Sequence, residues 1–213
     1  MTQPLLLTKQ PSSDGRDPAW HSIGPVTLAQ FPWPQNDFRP EVQVRACYSE
    51  EAIHVQFRTY EEIPTVNYYQ RNEAVHKDSC VEFFIQPYPE GDVRYLNFEF
   101  NAAGTMYLSV GKDRYDRDSL LSNDDSIFEV KAATGLKSLS DDRIYWELAF
   151  RIPFEFIIGL FPGFRAVPGA MMRGNFYKCG DETPLPHYAT WHPMTSEAPD
   201  YHQSRDFGDI ILG

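Results

Sequence analysis

The chain has 213 residues, 42% of them hydrophobic and 15% aromatic, and carries a formal net charge of −11. That length suits one large β domain, or at most two small ones, with a packed core. The acidity excludes phosphate backbones and anionic membranes as partners, because both call for basic patches, and it leaves neutral or cationic ligands, sugars among them.

Cys47, Cys80 and Cys179 are the three cysteines. An odd number without a CxxC spacing reads as buried free thiols, or as one disulfide and one free thiol. The first residues, MTQPLLLTKQ, lack the basic start and long apolar run of a signal peptide. No apolar run approaches a membrane span. The expectation is a soluble, cytoplasmic chain; a secreted or periplasmic protein without its leader would read the same.

Residues 1–13 are polar with two prolines and read as a loose lead-in; residues 14–213 read as a single domain. Asp14-Gly15 is a turn signal, followed by Trp20. Val26–Phe31 is a candidate first strand, closed by Pro32-Trp33-Pro34. In 42–49, Val42, Val44, Ala46 and Tyr48 alternate with Gln43, Arg45 and Cys47. In 52–61, Ile53, Val55 and Phe57 alternate with His54, Gln56 and Arg58. Joined by Ser49-Glu50-Glu51, these two runs form a hairpin pattern. Residues 62–77 have no period and include the adjacent Tyr68 and Tyr69; a loop this long in a compact domain is often functional.

Residues 78–110 form a three-strand meander. Val81, Phe83 and Ile85 alternate with Cys80, Glu82 and Phe84; Leu96, Phe98 and Phe100 alternate with Asn97, Glu99 and Asn101; Met106, Leu108 and Val110 alternate with Tyr107 and Ser109. Residues 112–125 read as a charged loop, 127–134 as a strand, and 143–152 as its partner. Pro153–Leu160 is a short helix with proline in its first turn. Residues 170–178, 188–191 and 207–212 read as further strands. About ten short strands and at most one or two short helices predict an all-β protein, an antiparallel sandwich of the jelly-roll or immunoglobulin-like kind.

A carboxylate in the middle of a strand must face water, a partner or a ligand. Strand parity collects Arg45, Arg58, Glu82, Asn97, Glu99, Glu147, Arg173, Asn175 and Tyr177 on the side away from the core. Two readings follow: a solvated outer sheet with cross-strand charge pairs, or a polar floor flanked by aromatic loops around Tyr68-Tyr69 and 188–201. The second suits sugars, whose ring faces stack on aromatic side chains while carboxylates, amides and guanidinium groups bond their hydroxyls. Trp20, Trp146 and Trp191 read as core residues, and Trp33, flanked by prolines in a loop, is left open between core and binding residue.

Several stretches together carry a resemblance. Asp14-Gly15 with Trp20, DSCVEFFI (78–85), YLNFEFNAAG (95–104), YWELAFRIP (145–153), NFYKC (175–179), YATW (188–191) and DYHQSRDFGDIIL (200–212) occur in the order found in family 9 carbohydrate-binding modules. From residue 14 to the end the chain resembles this family, which belongs to the DOMON-like β-sandwiches. The resemblance implies non-catalytic binding of a mono- or oligosaccharide, in the family often at a reducing end, by a module that ordinarily serves polysaccharide degradation. It places Glu82 on the sugar hydroxyls. Where the family has two clamping tryptophans, this chain has His76, within Val75-His76-Lys77, and Tyr201; Tyr69 is an alternative to His76. Asn97, Glu99, Arg173, Asn175 and Tyr177 complete the expected ligand-binding set. Some members hold a structural calcium, for which Asp124 and Asp125 in the loop Asn123-Asp124-Asp125 are the candidates, against a plain solvated turn.

Rival chemistry is also present. Two of Glu82, Glu99 and Glu147 can make a glycoside hydrolase pair, although no ExDxxE motif occurs and arginines on the same face would keep carboxylates ionised. Some DOMON-like proteins bind haem through Met and His; here His54, His76, Met106, Met171, Met172, His187, His192, Met194 and His202 are scattered. Cys179, His187, His192 and His202 lack the close pairing usual for zinc.

Overall fold

The structure is a computed structural model that describes residues 3–11, 17–120 and 124–213; Asp14-Gly15 and Asn123 lie outside them. The strands in chain order are β1 (Leu5–Lys9), β2 (Val26–Thr27), β3 (Val42–Tyr48), β4 (Ala52–Thr59), β5 (Cys80–Gln86), β6 (Tyr95–Asn101), β7 (Met106–Gly111), β8 (Arg117–Ser119), β9 (Lys131–Lys137), β10 (Ile144–Pro153), β11 (Met171–Cys179), β12 (Tyr188–Thr190) and β13 (Gly208–Leu212). One α-helix, α1 (Phe154–Leu160), follows β10 directly, and 3-10 turns occupy Trp20–Ser22, Val75–Lys77, Asp125–Phe128 and Ser204–Asp206.

The strands form two sheets. The first runs β8-β7-β6-β5-β11-β13, with β12 also on β11; the second runs β3-β4-β10-β9, with β2 on β3. β1 connects them. Its Leu5, Leu6 and Leu7 pair in parallel with Ile210, Ile211 and Leu212 of β13, and its Thr8 and Lys9 pair in parallel with Cys47 and Tyr48 of β3. The fold is the expected β-sandwich, with one strand changing sheets at a corner, and the other strand pairings are antiparallel.

This corrects the reading of 1–13 as a loose lead-in. Leu7 is buried in the core, and Tyr48 donates its hydroxyl hydrogen bond to the Gly213 carbonyl beside it. A strand of five residues between two prolines has no pattern of its own; two open strand edges far away in sequence order it. The expected 26–31 strand shrinks to β2, with Gln30 bridging to Thr190. The expected 127–134 strand starts later, at Lys131, because Asp124 accepts from the Ser126 amide and caps a 3-10 turn that buries Phe128. β8 lies inside the expected charged loop.

Alternation along the first sheet separates two apolar layers. Val81, Phe83, Ile85, Leu96, Phe98, Phe100, Met172 and Phe176 face the second sheet and form the main core. Ring pairs cross between the sheets: Phe100 lies 4.6 Å from Phe150, and Phe57 lies 5.9 Å from Phe176. On the opposite face, Cys80, Phe84, Tyr95, Tyr177 and Cys179 form a second layer under Trp33, Val75, Tyr201 and Phe207. At Gly174 a Cβ would come within 2.6 Å of the Phe84 carbonyl oxygen, so only glycine lets β11 lie this close to β5.

Lys178 has the parity of Phe176 and therefore points into the sandwich, where it is fully buried. Its ammonium donates to the Cys179 carbonyl at 2.9 Å and to His187 Nε2 at 2.6 Å, and it meets Glu61 Oε2 at 3.2 Å. Glu61 also accepts from Ser79 Oγ at 2.7 Å and from Trp146 Nε1 at 3.0 Å. Burial opposes the Glu61 charge, but Lys178 and these two donors outweigh it and hold the carboxyl below its ordinary range. Burial, and then Lys178, push His187 down to about 4, so it is a neutral acceptor.

Removing one member of a buried ion pair leaves the other charge uncompensated. Lys178→Met is therefore expected to cost about 3–5 kcal/mol in urea unfolding at pH 7. Adding Glu61→Gln is expected to recover a large part of that loss, because the amide oxygen can still accept from Trp146. A single variant as stable as the wild type would show that this pair does not hold the sheets together.

Candidate functional site

Two carboxylates sit side by side on the outer face of the first sheet. β5 and β6 pair so that Glu82 lies directly opposite Glu99, which brings their Cβ atoms to about 4.5–5.5 Å. Both are almost wholly buried, at 3% and 5% exposure. Burial, reinforced by Glu99, raises Glu82 well above the usual carboxylate range. Burial also raises Glu99, to about 7, with Arg117 and Asn97 opposing the rise. Burial and the like charge across the strand pair thus favour a proton on this pair.

A relay of side chains fixes Glu99. Asn97 Nδ2 donates to Glu99 Oε1 at 2.7 Å; Ser109 Oγ donates to Asn97 Oδ1 at 2.5 Å; Arg117 Nε donates to Ser109 Oγ at 2.8 Å and Arg117 Nη2 stands 3.6 Å from Glu99 Oε1. Arg117 also contacts His202, which lies over Phe84 at 4.9 Å and bonds the Tyr95 hydroxyl at 2.8 Å. Burial, and then Arg117, push His202 down to about 2, so it is neutral. Glu82 has a weaker tie, the Cys179 thiol donating to Oε1 at 3.1 Å.

Three segments wall this floor into a cleft of about 430 Å³. The 3-10 turn Val75–Lys77 brings His76, whose Nδ1 is 3.9 Å from Glu99 Oε2. That turn is anchored by buried Asp78, which accepts from the Asn67 and Tyr68 amides and from Asn101 Nδ2. The segment before Phe207 brings Tyr201, which stacks on Tyr177 with ring centres 4.0 Å apart and donates to the Lys178 carbonyl. Trp33 lies 5.6 Å from Tyr201 and 6.0 Å from Tyr188, its indole N–H held by the Ser196 carbonyl at 2.8 Å. Tyr107, Asp181, Arg114 and Asp200 complete the rim.

Of the residues expected from sequence, Glu82, Glu99, His76 and Tyr201 line this cleft. Asn97 and Tyr177 lie one layer beneath, positioning Glu99 and Tyr201. The other expectations are corrected. Tyr69 is 70% exposed and does not line the cleft; its loop is pinned at Asp78, which leaves its ring outside. Arg173 donates to the Arg205 and Phe207 carbonyls at the far end of β11, and buried Asn175 bonds the His192 backbone; both hold the 192–207 segment in place. Arg58 and Glu147 pair at 3.1 Å, and Arg45 donates to the Ile23 carbonyl, all from the second sheet. The expected polar face is thus divided between two sheets. The expectation that arginines would ionise every carboxylate on it also fails at Glu82, which has no such neighbour in an ion pair among the described residues. Trp33, Arg114, Arg117, Asp181 and Tyr188 were not in the expected set. Trp33 between two prolines and Tyr188 at the start of the 188–201 aromatic loop were the readable signals among them.

Asp124 and Asp125 do not fit a calcium cage: Asp124 caps the Ser126 turn, and Asp125 binds Arg71 Nε at 2.7 Å. For softer metals, ligand atoms of Cys80, Glu82 and Cys179 lie within 4.8 Å of one another. All three cysteines are free and buried, and burial raises Cys80 to about 12 and holds Cys179 well above the ordinary thiol range, so a metal here must first displace tightly held protons. Of the histidines named for haem, His54 bonds Ser49, His187 bonds Lys178 and His192 bonds the Asp206 carbonyl; His76 and His202 share the cleft, where Arg117 and the Tyr95 hydroxyl hold His202.

Comparison with known proteins agrees with this architecture. A search of curated proteins finds no match. Among solved structures, a putative carbohydrate-binding protein from Bacteroides uniformis superposes with a TM-score of 0.78 at 27% identity, covering 99% of this chain and 100% of that one. A family 9 carbohydrate-binding module from Caldicellulosiruptor kristjanssonii, solved with glucose and with cellotriose, superposes with a TM-score of 0.64 at 14% identity, covering 99% of this chain and 96% and 93% of those. The family model for carbohydrate-binding family 9 matches residues 19–212. The chain belongs to carbohydrate-binding family 9.

Proposed function

We propose that the cleft over Glu82 and Glu99 binds the end of a mono- or oligosaccharide without catalysis. The observation that carries this reading is the pairing of a buried carboxyl floor with an aromatic wall, in a chain of a carbohydrate-binding family. The cleft volume falls in the range of small-molecule sites, roughly 300–1,000 Å³. Tyr201, Trp33 and Tyr188 offer ring faces and edges to the apolar side of a pyranose. Protonated Glu82 donates to one hydroxyl and accepts from another, while Glu99, Arg117 and Asp181 complete the hydroxyl contacts. The family modules solved with glucose and cellotriose support glucose-type ligands as the first to try.

A second reading has one observation in its favour. A protonated Glu82 beside a more acidic Glu99 is an acid and a base with separated proton affinities, as in glycoside hydrolases. Both carboxyls, however, rise from one floor and are almost closed to solvent, which leaves little space for a scissile bond between them. Incubation with nitrophenyl glycosides distinguishes the two readings: binding without release of nitrophenol is the expected outcome.

Calorimetric titration with glucose, cellotriose and methyl glucosides is expected to give binding that Tyr201→Ala weakens by about tenfold or more, in line with the loss of a stacked aromatic contact and its burial. If reducing ends are preferred, the methyl glucosides bind more weakly than glucose. No heat with any sugar at millimolar concentration would overturn the reading.

Stability and binding should respond oppositely at Glu82. Its folded-state pKa is raised, so folding retains a proton that the unfolded chain releases above about 4.5. The stability from this group is present below that pH and is lost as pH rises towards the folded value. Glu82→Gln is therefore expected to raise the unfolding temperature more at pH 8 than at pH 5, while weakening sugar binding. Equal effects at both pH values would contradict the proton held at Glu82.

A further inference from the structure

The charges around the cleft do not balance. Glu73, Glu82, Glu99, Asp181 and Asp200 line it, against Arg114 and Arg117. Most of these are accounted for. Arg114 pairs with Asp200 at 2.9 Å, and Arg117 faces Glu99 at 3.6 Å. Glu73 accepts from the Tyr69 and Gln70 amides. Glu82 and Asp181 remain: neither is in an ion pair among the described residues. Among the described residues Glu82 accepts only from a thiol, a weak donor, and Asp181 has the Tyr188 hydroxyl.

The histidines do not supply the missing charge. His202 is neutral against Arg117, and burial lowers His76, half-exposed between Glu99 and Asp181. An unpaired buried carboxylate is costly unless it takes a proton or meets a cation. Here the aromatic wall of Trp33, Tyr107, Tyr188 and Tyr201 adds ring surfaces that attract cations as well as sugar faces.

We propose that the cleft selects a sugar bearing a primary ammonium group, a hexosamine, over the neutral parent sugar, with Glu82 and Asp181 receiving the ammonium. This rests on the carbohydrate reading above and narrows it. Burial raises both carboxyls, so the incoming cation converts Glu82 from acid to carboxylate and a proton leaves to solvent. The groups facing that proton are Glu99 and Arg117 across the strand pair, Cys179 on β11, and His76 and Asp181 on the covering loops. N-acetylation removes the charge and adds bulk, so the N-acetyl sugars lose the advantage.

The test is calorimetric titration of the wild-type chain at pH 7 with three matched series: glucose, galactose and mannose; the corresponding 2-amino sugars; and their N-acetyl forms. Each is run in two buffers of different ionisation heat. The expected result is at least one amino sugar binding about tenfold or more tighter than its parent, the scale of one charge-assisted hydrogen bond, with buffer-dependent heat that reports proton release. Glu82→Gln and, independently, Asp181→Asn are expected to bring the ratio of amino to neutral sugar towards one, with thermal unfolding confirming that each variant folds. Neutral sugars binding as tightly as their amino forms would overturn the hexosamine proposal and leave carbohydrate binding standing. Silence across all three series would overturn the carbohydrate reading itself.

Discussion

The first sheet is buried on both faces, and most of this molecule follows from that constraint. One face carries the phenylalanine layer that meets the second sheet. The other would ordinarily be wet, yet it lies under Trp33, Val75, Tyr201 and Phe207. Every polar side chain on it must then find a partner inside the protein. Asp78 binds loop amides, Asn101 binds the Tyr68 carbonyl and Asp78, and Asn97, Ser109 and Arg117 bond one another. The covering segments do not close over the centre of this face, and there, among the described residues, Glu82 is left with a thiol as its donor.

Alternation in the sequence revealed much of this. A period of two in β5, β6 and β7 located the strands and identified Glu82 and Glu99 as residues facing away from the core. The family pattern directed attention to His76 and Tyr201, which the fold brings to the same cleft from positions far apart in the chain. Parity alone could not say which sheet a strand joins. Arg58 and Glu147 therefore entered the polar set, although they belong to the second sheet and satisfy each other. Nor could parity show that Arg173 and Asn175 serve backbone carbonyls of the 192–207 segment. Arg117 was hidden for a different reason: its strand has only three residues, inside a run of charges, and exists because β7 offers an open edge.

Lys178 shows the same limit from the opposite side. Its parity placed it in the core, where a lysine is not expected, and the sequence does not show that Glu61 and His187 come together around it. The network is energetically delicate, since a hydrophobic replacement of the whole set can match such an ion pair in stability. Its effect is geometric. Lys178 lies in β11 between Tyr177 and Cys179, and Tyr201 donates to its carbonyl. Fixing Lys178 from the core side thus fixes the strand segment that carries Cys179 beneath Glu82 and supports Tyr201 from behind.

The carboxylate pair differs from that ion pair in one decisive respect. Lys178 and Glu61 neutralise each other, so their burial is compensated whether or not a ligand is present. Glu82 and Glu99 have the same charge sign, and only one of them faces an arginine. A structural role alone does not call for this arrangement, because two glutamines at these positions would satisfy the same neighbours without desolvating a charge. The strain is confined to the one patch of the first sheet that opens to solvent through a cleft, and it is relieved there only by a proton or by a ligand that supplies donors or positive charge. In that sense the site is incomplete by itself, and its energetics favour a ligand rich in hydroxyl or ammonium donors over one that presents only acceptors.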